Sequence, residues 1–143
     1  MKIVIAADHG GFELKEKLKA YFAGKSLILQ DLGTDSTDSV DYPDFAKKLA
    51  RQILEGRADL GILICGTGIG ASIAANRFKG IRAALLYSTF SAEMAKKHNN
   101  ANVLVFGGRT MAFEDVVMRI ETFLNTSFEG GRHINRINKI DED

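Results

Sequence analysis

Residues 60–70 read Leu60-Gly61-Ile62-Leu63-Ile64-Cys65-Gly66-Thr67-Gly68-Ile69-Gly70, an apolar run followed by three glycines in five positions. A short apolar run bounded by glycine is a strand covered on both faces. Glycines at this spacing let the chain turn tightly into a following helix and present consecutive N–H groups at its N-terminus. There the unpaired donors and the positive end of the helix dipole favour an anion. The stretch thus predicts strand, turn and helix, with a ligand site at the turn.

The same alternation extends in both directions. Lys2 to Ala7, Leu27 to Leu32, Ile81 to Leu86 and Asn102 to Phe106 read as further strands. Between them lie helical stripes: Leu14, Leu18, Tyr21 and Phe22; Phe45, Leu49 and Ile53, opened by Pro43 near a first-turn position; and Phe113, Val116, Val117, Ile120 and Leu124. Strand and helix in strict turn mean βαβ units and a parallel sheet with both faces covered. The expected fold is α/β, a three-layer α/β/α sandwich on a five-stranded parallel sheet, Rossmann-like in layout. Gly130-Gly131 is expected to break the last long helix before a short terminal helix from about Arg132, and Asp141-Glu142-Asp143 to fray. The 143 residues suit one domain, with residues 128–143 as a C-terminal extension.

Composition narrows the function. Lys plus Arg number 19 against 18 Asp plus Glu, a formal charge of +1, which argues against nucleic acid as a partner. The single cysteine, Cys65, rules out an intrachain disulfide. The apolar run Ile3 to Ala7 is too short for a signal core or a membrane span, so the cytoplasm is the expected compartment, with no membrane partner.

Ligands of open parallel sheets bind outside the carboxyl ends of the strands, where strand order reverses. Two strand ends carry reactive groups: Asp8-His9-Gly10-Gly11 after the first and Cys65 with the glycine loop after the third, and these are expected to be neighbours. Gly66, Gly68 and Ala71 formally fit a dinucleotide pattern, but the next strand end, Leu85-Leu86-Tyr87-Ser88, lacks the acid that would hold a ribose. No Gly-Lys-Ser/Thr follows, which excludes a Walker loop. Cys65, leading into a helix N-terminus, meets the conditions that lower a thiol pKa; its plainer reading is a small buried hydrophobe. Asp8 has the alternative of a helix cap, and His98 that of a residue favoured at a helix C-terminus, with Asn99 and Asn100 as helix-stop residues. Arg132 and Arg136, one turn apart on one helix face without acidic partners, suit a phosphate or a solvated basic face. His133 lies off that face. The three histidines stand far apart in sequence with no ligand spacing, so no metal is expected and chemistry here would proceed by proton transfer.

Asp8-His9-Gly10-Gly11, Asp41-Tyr42-Pro43, Cys65 to Gly70, Ser72 to Asn76, Gly80 to Ala83, His98-Asn99-Asn100 and Glu129 to His133 together resemble the type B ribose-5-phosphate isomerases, over essentially the whole chain. The resemblance implies an enzyme that interconverts ribose 5-phosphate and ribulose 5-phosphate in the pentose phosphate pathway, without cofactor or metal, as a homodimer. Cys65 would be the proton acceptor and His98 the acid/base that opens the furanose ring. Asp8 and His9 would lie in the substrate site, as would Tyr42. Gly66, Thr67, Gly68, Ile69 and Gly70 would bind sugar oxygens, with Asn99, Arg109, Arg132 and Arg136 completing the sugar and phosphate contacts. A six-carbon sugar phosphate is the nearest alternative substrate, and a non-catalytic sugar-phosphate binding protein the alternative of another class. Chain direction adds that Cys65 at a strand end and His98 before a strand start belong to opposite sheet edges. A site using both must then be shared between two subunits.

Overall fold

A computed structural model describes residues 1–143. Five strands, β1 (Ile3–Ala7), β2 (Leu29–Asp31), β3 (Leu60–Cys65), β4 (Ala83–Leu85) and β5 (Val103–Gly107), form one parallel sheet in the order β2-β1-β3-β5-β4. Six helices accompany them: α1 (Phe12–Ala23), α2 (Tyr42–Leu54), α3 (Ile69–Ala75), α4 (Thr89–Lys97), α5 (Phe113–Leu124) and α6 (Arg132–Ile140). The three central strands are buried at every position, because helices cover both faces. One core layer joins Ile5, Ile62, Ile64 and Leu104 to α1 and α5 through Leu18 and Ile120. The other joins Val4, Leu63 and Val105 to α2 and α3 through Leu49 and Ala71.

Strand order reverses between β1 and β3, which pair from Ile3 with Leu60 to Ala7 with Ile64. The expected neighbourhood of the Asp8 and Cys65 strand ends is therefore present, and it lies at the switch point. The edge strands are shorter than the apolar runs suggest. β2 and β4 have three residues each. The last long helix also stops earlier than expected. Its cap is Asn125, not the Gly130-Gly131 pair, and residues 126–131 are non-helical. The short terminal helix begins at Arg132 as read, but Asp141 does not fray freely: its Oδ2 accepts the Gly80 N–H at 2.9 Å.

Candidate functional site

Three loops leave the carboxyl edge side by side and are bonded to each other. Asp8 N–H donates to Ile64 O at 3.2 Å, Gly108 N–H to Cys65 O at 2.8 Å and Arg109 N–H to Gly66 O at 2.9 Å. A Cβ on Gly10 would stand 3.0 Å from Gly66 N, which measures how closely the first and third loops approach. Gly68 has φ +82°, a conformation that side chains resist, and this turn is what swings the chain from β3 into α3.

Cys65 ends β3, 5% exposed. The Gly68 N–H donates to its Sγ at 3.1 Å, the contact a thiolate accepts. Not all the loop amides are free for a ligand, as the sequence suggested. Gly68 is committed to sulfur, and Ile69 N–H donates to Thr67 Oγ1 at 3.2 Å. The N–H groups of Thr67 and Gly70 have no partner within the chain.

Asp8 is buried, and its Oδ1 accepts the Gly10 N–H at 2.9 Å, so the expectation of a helix cap is not met. It shapes the loop and does not cap α1, whose N-cap is Gly11. His9 Nδ1 accepts the Val40 N–H at 3.1 Å, so the neutral ring carries its proton on Nε2. Tyr42 opens α2, and its ring lies over Gly70: a Cβ there would be 2.6 Å from the tyrosine Cζ. The Arg109 guanidinium covers Gly66 in the same way, with Nη1 3.1 Å from such a Cβ. Asp8, Tyr42 and Arg109 therefore gather around the 66–70 loop that follows Cys65, with His9 next to Asp8 and turned to Val40.

His98, Asn99, Arg132 and Arg136 do not join them. His98 caps the C-terminus of α4, before β5 begins, at the amino edge of the sheet. There it lines a cleft of about 380 Å³ with Asn99, His133, Arg136, Ile137 and Ile140. Arg82, which carried no role in the sequence reading, holds this corner: its Nε and Nη2 donate to Asn100 O at 3.1 and 2.9 Å, and Nε also to Asn99 O at 3.2 Å. Its position in the Gly80-Ile81-Arg82 motif was the only signal.

The expectation of isolated histidines needs correction. His98 and His133 stack 4.4 Å apart, 16° from parallel, with Glu129 Oε1 3.5 Å from His133 Nε2. One ligand atom from each of the three residues lies within 4.8 Å of the others. In stacked rings the lone pairs run side by side, so in this arrangement the two imidazoles do not converge on one ion.

A doubly wound sheet with a glycine turn and a thiol at its switch point places the chain among the α/β proteins that take small anionic ligands at the carboxyl edge. Residues 3–140 match the family model described as Ribose/Galactose Isomerase, and the chain belongs to this family of isomerases. It is similar to ribose-5-phosphate isomerase B of Escherichia coli, 42% identical over 139 residues that cover 97% of this chain and 93% of that one. A ribose 5-phosphate isomerase from Thermotoga maritima superposes with a TM-score of 0.97 at 56% identity, covering 99% of this chain and 98% of the other. The type B ribose 5-phosphate isomerase of Trypanosoma brucei gives 0.92 at 46% identity, covering 97% and 95%. The resemblance carried by the motifs thus holds along the whole fold.

Proposed function

We propose that the chain interconverts ribose 5-phosphate and ribulose 5-phosphate by proton transfer through an enediolate, as a homodimer with shared active sites. The observation that carries this is the Gly68 N–H aimed at Cys65 Sγ at 3.1 Å, at the switch point beside Asp8. Aldose–ketose interconversion removes a weakly acidic proton beside a carbonyl and returns it to the adjacent carbon. A thiolate that can be reprotonated does both. Cys65 takes the C2 proton of the open-chain aldose and delivers it to C1. The unpartnered N–H groups of Thr67 and Gly70 hold the oxygen on which negative charge develops.

Ribose 5-phosphate is mainly a furanose, so its ring must open first. That step falls to His98, with Asp8 near the ring oxygens. Arg109, Arg132 and Arg136 hold phosphate, and His9 and Asn99 add polar contacts. Binding at the phosphate positions the reacting carbons without taking part in the chemistry. No helix is long and apolar enough to cross a membrane, which suits a sugar-phosphate substrate met in water.

The decisive experiment follows ketose formation from ribose 5-phosphate, allose 6-phosphate and galactose 6-phosphate side by side. Turnover highest on the pentose supports the proposal. Preference for a six-carbon sugar would reassign the substrate, and binding without turnover would make the chain a sugar-phosphate binder.

A further inference from the structure

His133 is the one buried side chain whose polar nitrogen, Nε2, has no hydrogen-bond partner. It is 5% exposed, whereas Arg132 and Arg136 on the same helix are exposed. The ring lies flat against that of His98, 4.4 Å away. Its surroundings fix it there. Glu129 N–H donates to Lys97 O at 3.0 Å, tying the segment before α6 to the last turn of α4. Gly130 and Gly131, at φ +69° and +57°, then reverse the chain so that the first turn of α6 folds back beneath His98. The Glu129 carboxylate lies 3.5 Å from Nε2, facing this buried nitrogen without hydrogen-bonding it.

We propose that His133 is a positioning residue for His98: its buried ring is a flat platform that fixes the plane in which His98 meets the sugar ring oxygen. This rests on the reading of His98 as the group that opens the furanose. A part-buried side chain at a helix end, without a hydrogen bond of its own, otherwise has free rotation about χ2. Acid–base transfer needs the donor nitrogen aimed at the oxygen, and small misplacements are expensive. The arrangement also joins two tasks in one helix. Arg132 and Arg136 point outward to phosphate while His133 points inward to His98, so docking α6 sets both at once.

Ribulose 5-phosphate supplies the test, because its C5 oxygen is phosphorylated and it cannot close a furanose ring. Exchange of its C1 proton with deuterated water needs Cys65 but no ring opening. His98→Ala should lose about 100-fold in ketose formation from ribose 5-phosphate, the scale of a lost acid–base group. It should keep C1 exchange in ribulose 5-phosphate within about threefold, since the base itself is untouched. His133→Ala should show the same one-sided pattern at about 10-fold, as expected of a misaimed group. His133→Phe, which keeps a flat ring, should recover most of that loss. If His133→Ala aggregates, His133→Leu fills the volume without a flat face and serves in its place. Equal loss of both activities, no loss at all, or a phenylalanine variant as impaired as the alanine one would overturn the platform. If His98→Ala itself were not one-sided, the reading of His98 would fall, and the platform with it.

Discussion

At Cys65 two roles meet that usually exclude each other. The residue packs in the core layer of Val4, Ala6 and Leu63, as a lone cysteine commonly does, yet its sulfur takes a backbone N–H from the glycine loop. The sequence left these readings in balance because burial and activation both favour a strand end, and only the φ of Gly68 and the aim of its N–H separate them. Cys65→Ser keeps volume and acceptor, so the thermal midpoint should move little while isomerisation and C1 proton exchange are both abolished. Serine cannot hold the anion the reaction needs. A serine variant retaining most of its turnover, measured as ketose formation, would reduce Cys65 to packing. Arg132 and Arg136 were legible as a pair from their spacing alone, since exposed positions need no knowledge of packing. Replacing either by alanine should weaken kcat/KM for ribose 5-phosphate by about 2 kcal/mol, the scale of a charge-assisted contact. Turnover of unphosphorylated ribose should fall much less. Equal losses on both sugars would assign the arginines to the fold.

Elements with a long apolar stripe or a doubly covered run were plain in the sequence: α2, α5 and the three central strands need only periodicity to be found. The edge strands and the docking of α6 were not, because their limits depend on partners distant in the chain, such as Asp141 meeting Gly80. The clearest case is Lys15 on α1. Its side chain is fully buried, with Nζ 2.6 Å from Asp31 Oδ2 and 3.0 Å from Glu16 Oε2, joining α1 to the end of β2. Asp31 also receives Lys19 at 2.7 Å and, through Oδ1, the Gly33 N–H at 2.8 Å. Gly33 O in turn accepts the Ala7 N–H at 2.8 Å, one residue before Asp8. Burial pushes the Asp31 carboxyl up, but the two ammonium groups and the Gly33 N–H together hold it below its ordinary value. A carboxylate held low stabilises the fold above its unfolded pKa, near 4, and that contribution is lost as pH falls through the lower folded value. Lys19, bonded to Asp31 and Glu16, is held above its ordinary value, so its contribution is complete below about 10 and lost only beyond that. Asp31→Asn should therefore destabilise the protein by about 2 kcal/mol at pH 7, less than a stranded buried charge costs because Glu16 still meets Lys15. Urea titrations should show the gap to wild type narrowing as pH falls from about 4, where Asp31 protonates in the unfolded chain, through its lower folded value, below which both states are protonated. A gap independent of pH would mean that the carboxylate charge is not what holds α1 to β2.

For the whole molecule the sheet itself decides where the site can be completed. Cys65 pairs with Gly107 at the carboxyl end of β5, while His98 precedes the first residue of β5, Val103. The five residues of β5 span about 17 Å at roughly 3.3 Å each, beyond the reach of an imidazole from one edge to the other. If both residues act on one sugar, as proposed, each chain would carry two half-sites, Cys65 with Asp8 and the glycine loop, and His98 with Asn99 and Arg136. A two-fold axis that laid the carboxyl edge of one copy against the amino edge of another would complete both at once. Tyr42, against Gly70, and Ile69 and Ile73 on α3 are 40, 56 and 55% exposed in the single chain, apolar groups suited to a second copy. Subunit complementation distinguishes this from a one-chain site. Cys65→Ser, inactive on ribose 5-phosphate, and His98→Ala, expected to be about 100-fold impaired on it, are mixed, dissociated and reassociated. The heterodimer then has one site with both groups intact and one with neither. Random reassortment makes half the dimers mixed, so recovered activity should approach about a quarter of wild type. Native mass spectrometry of differently tagged chains reports whether heterodimers formed. Heterodimers without recovered turnover would place Cys65 and His98 of the same chain in one site and refute the division of the site between sheet edges.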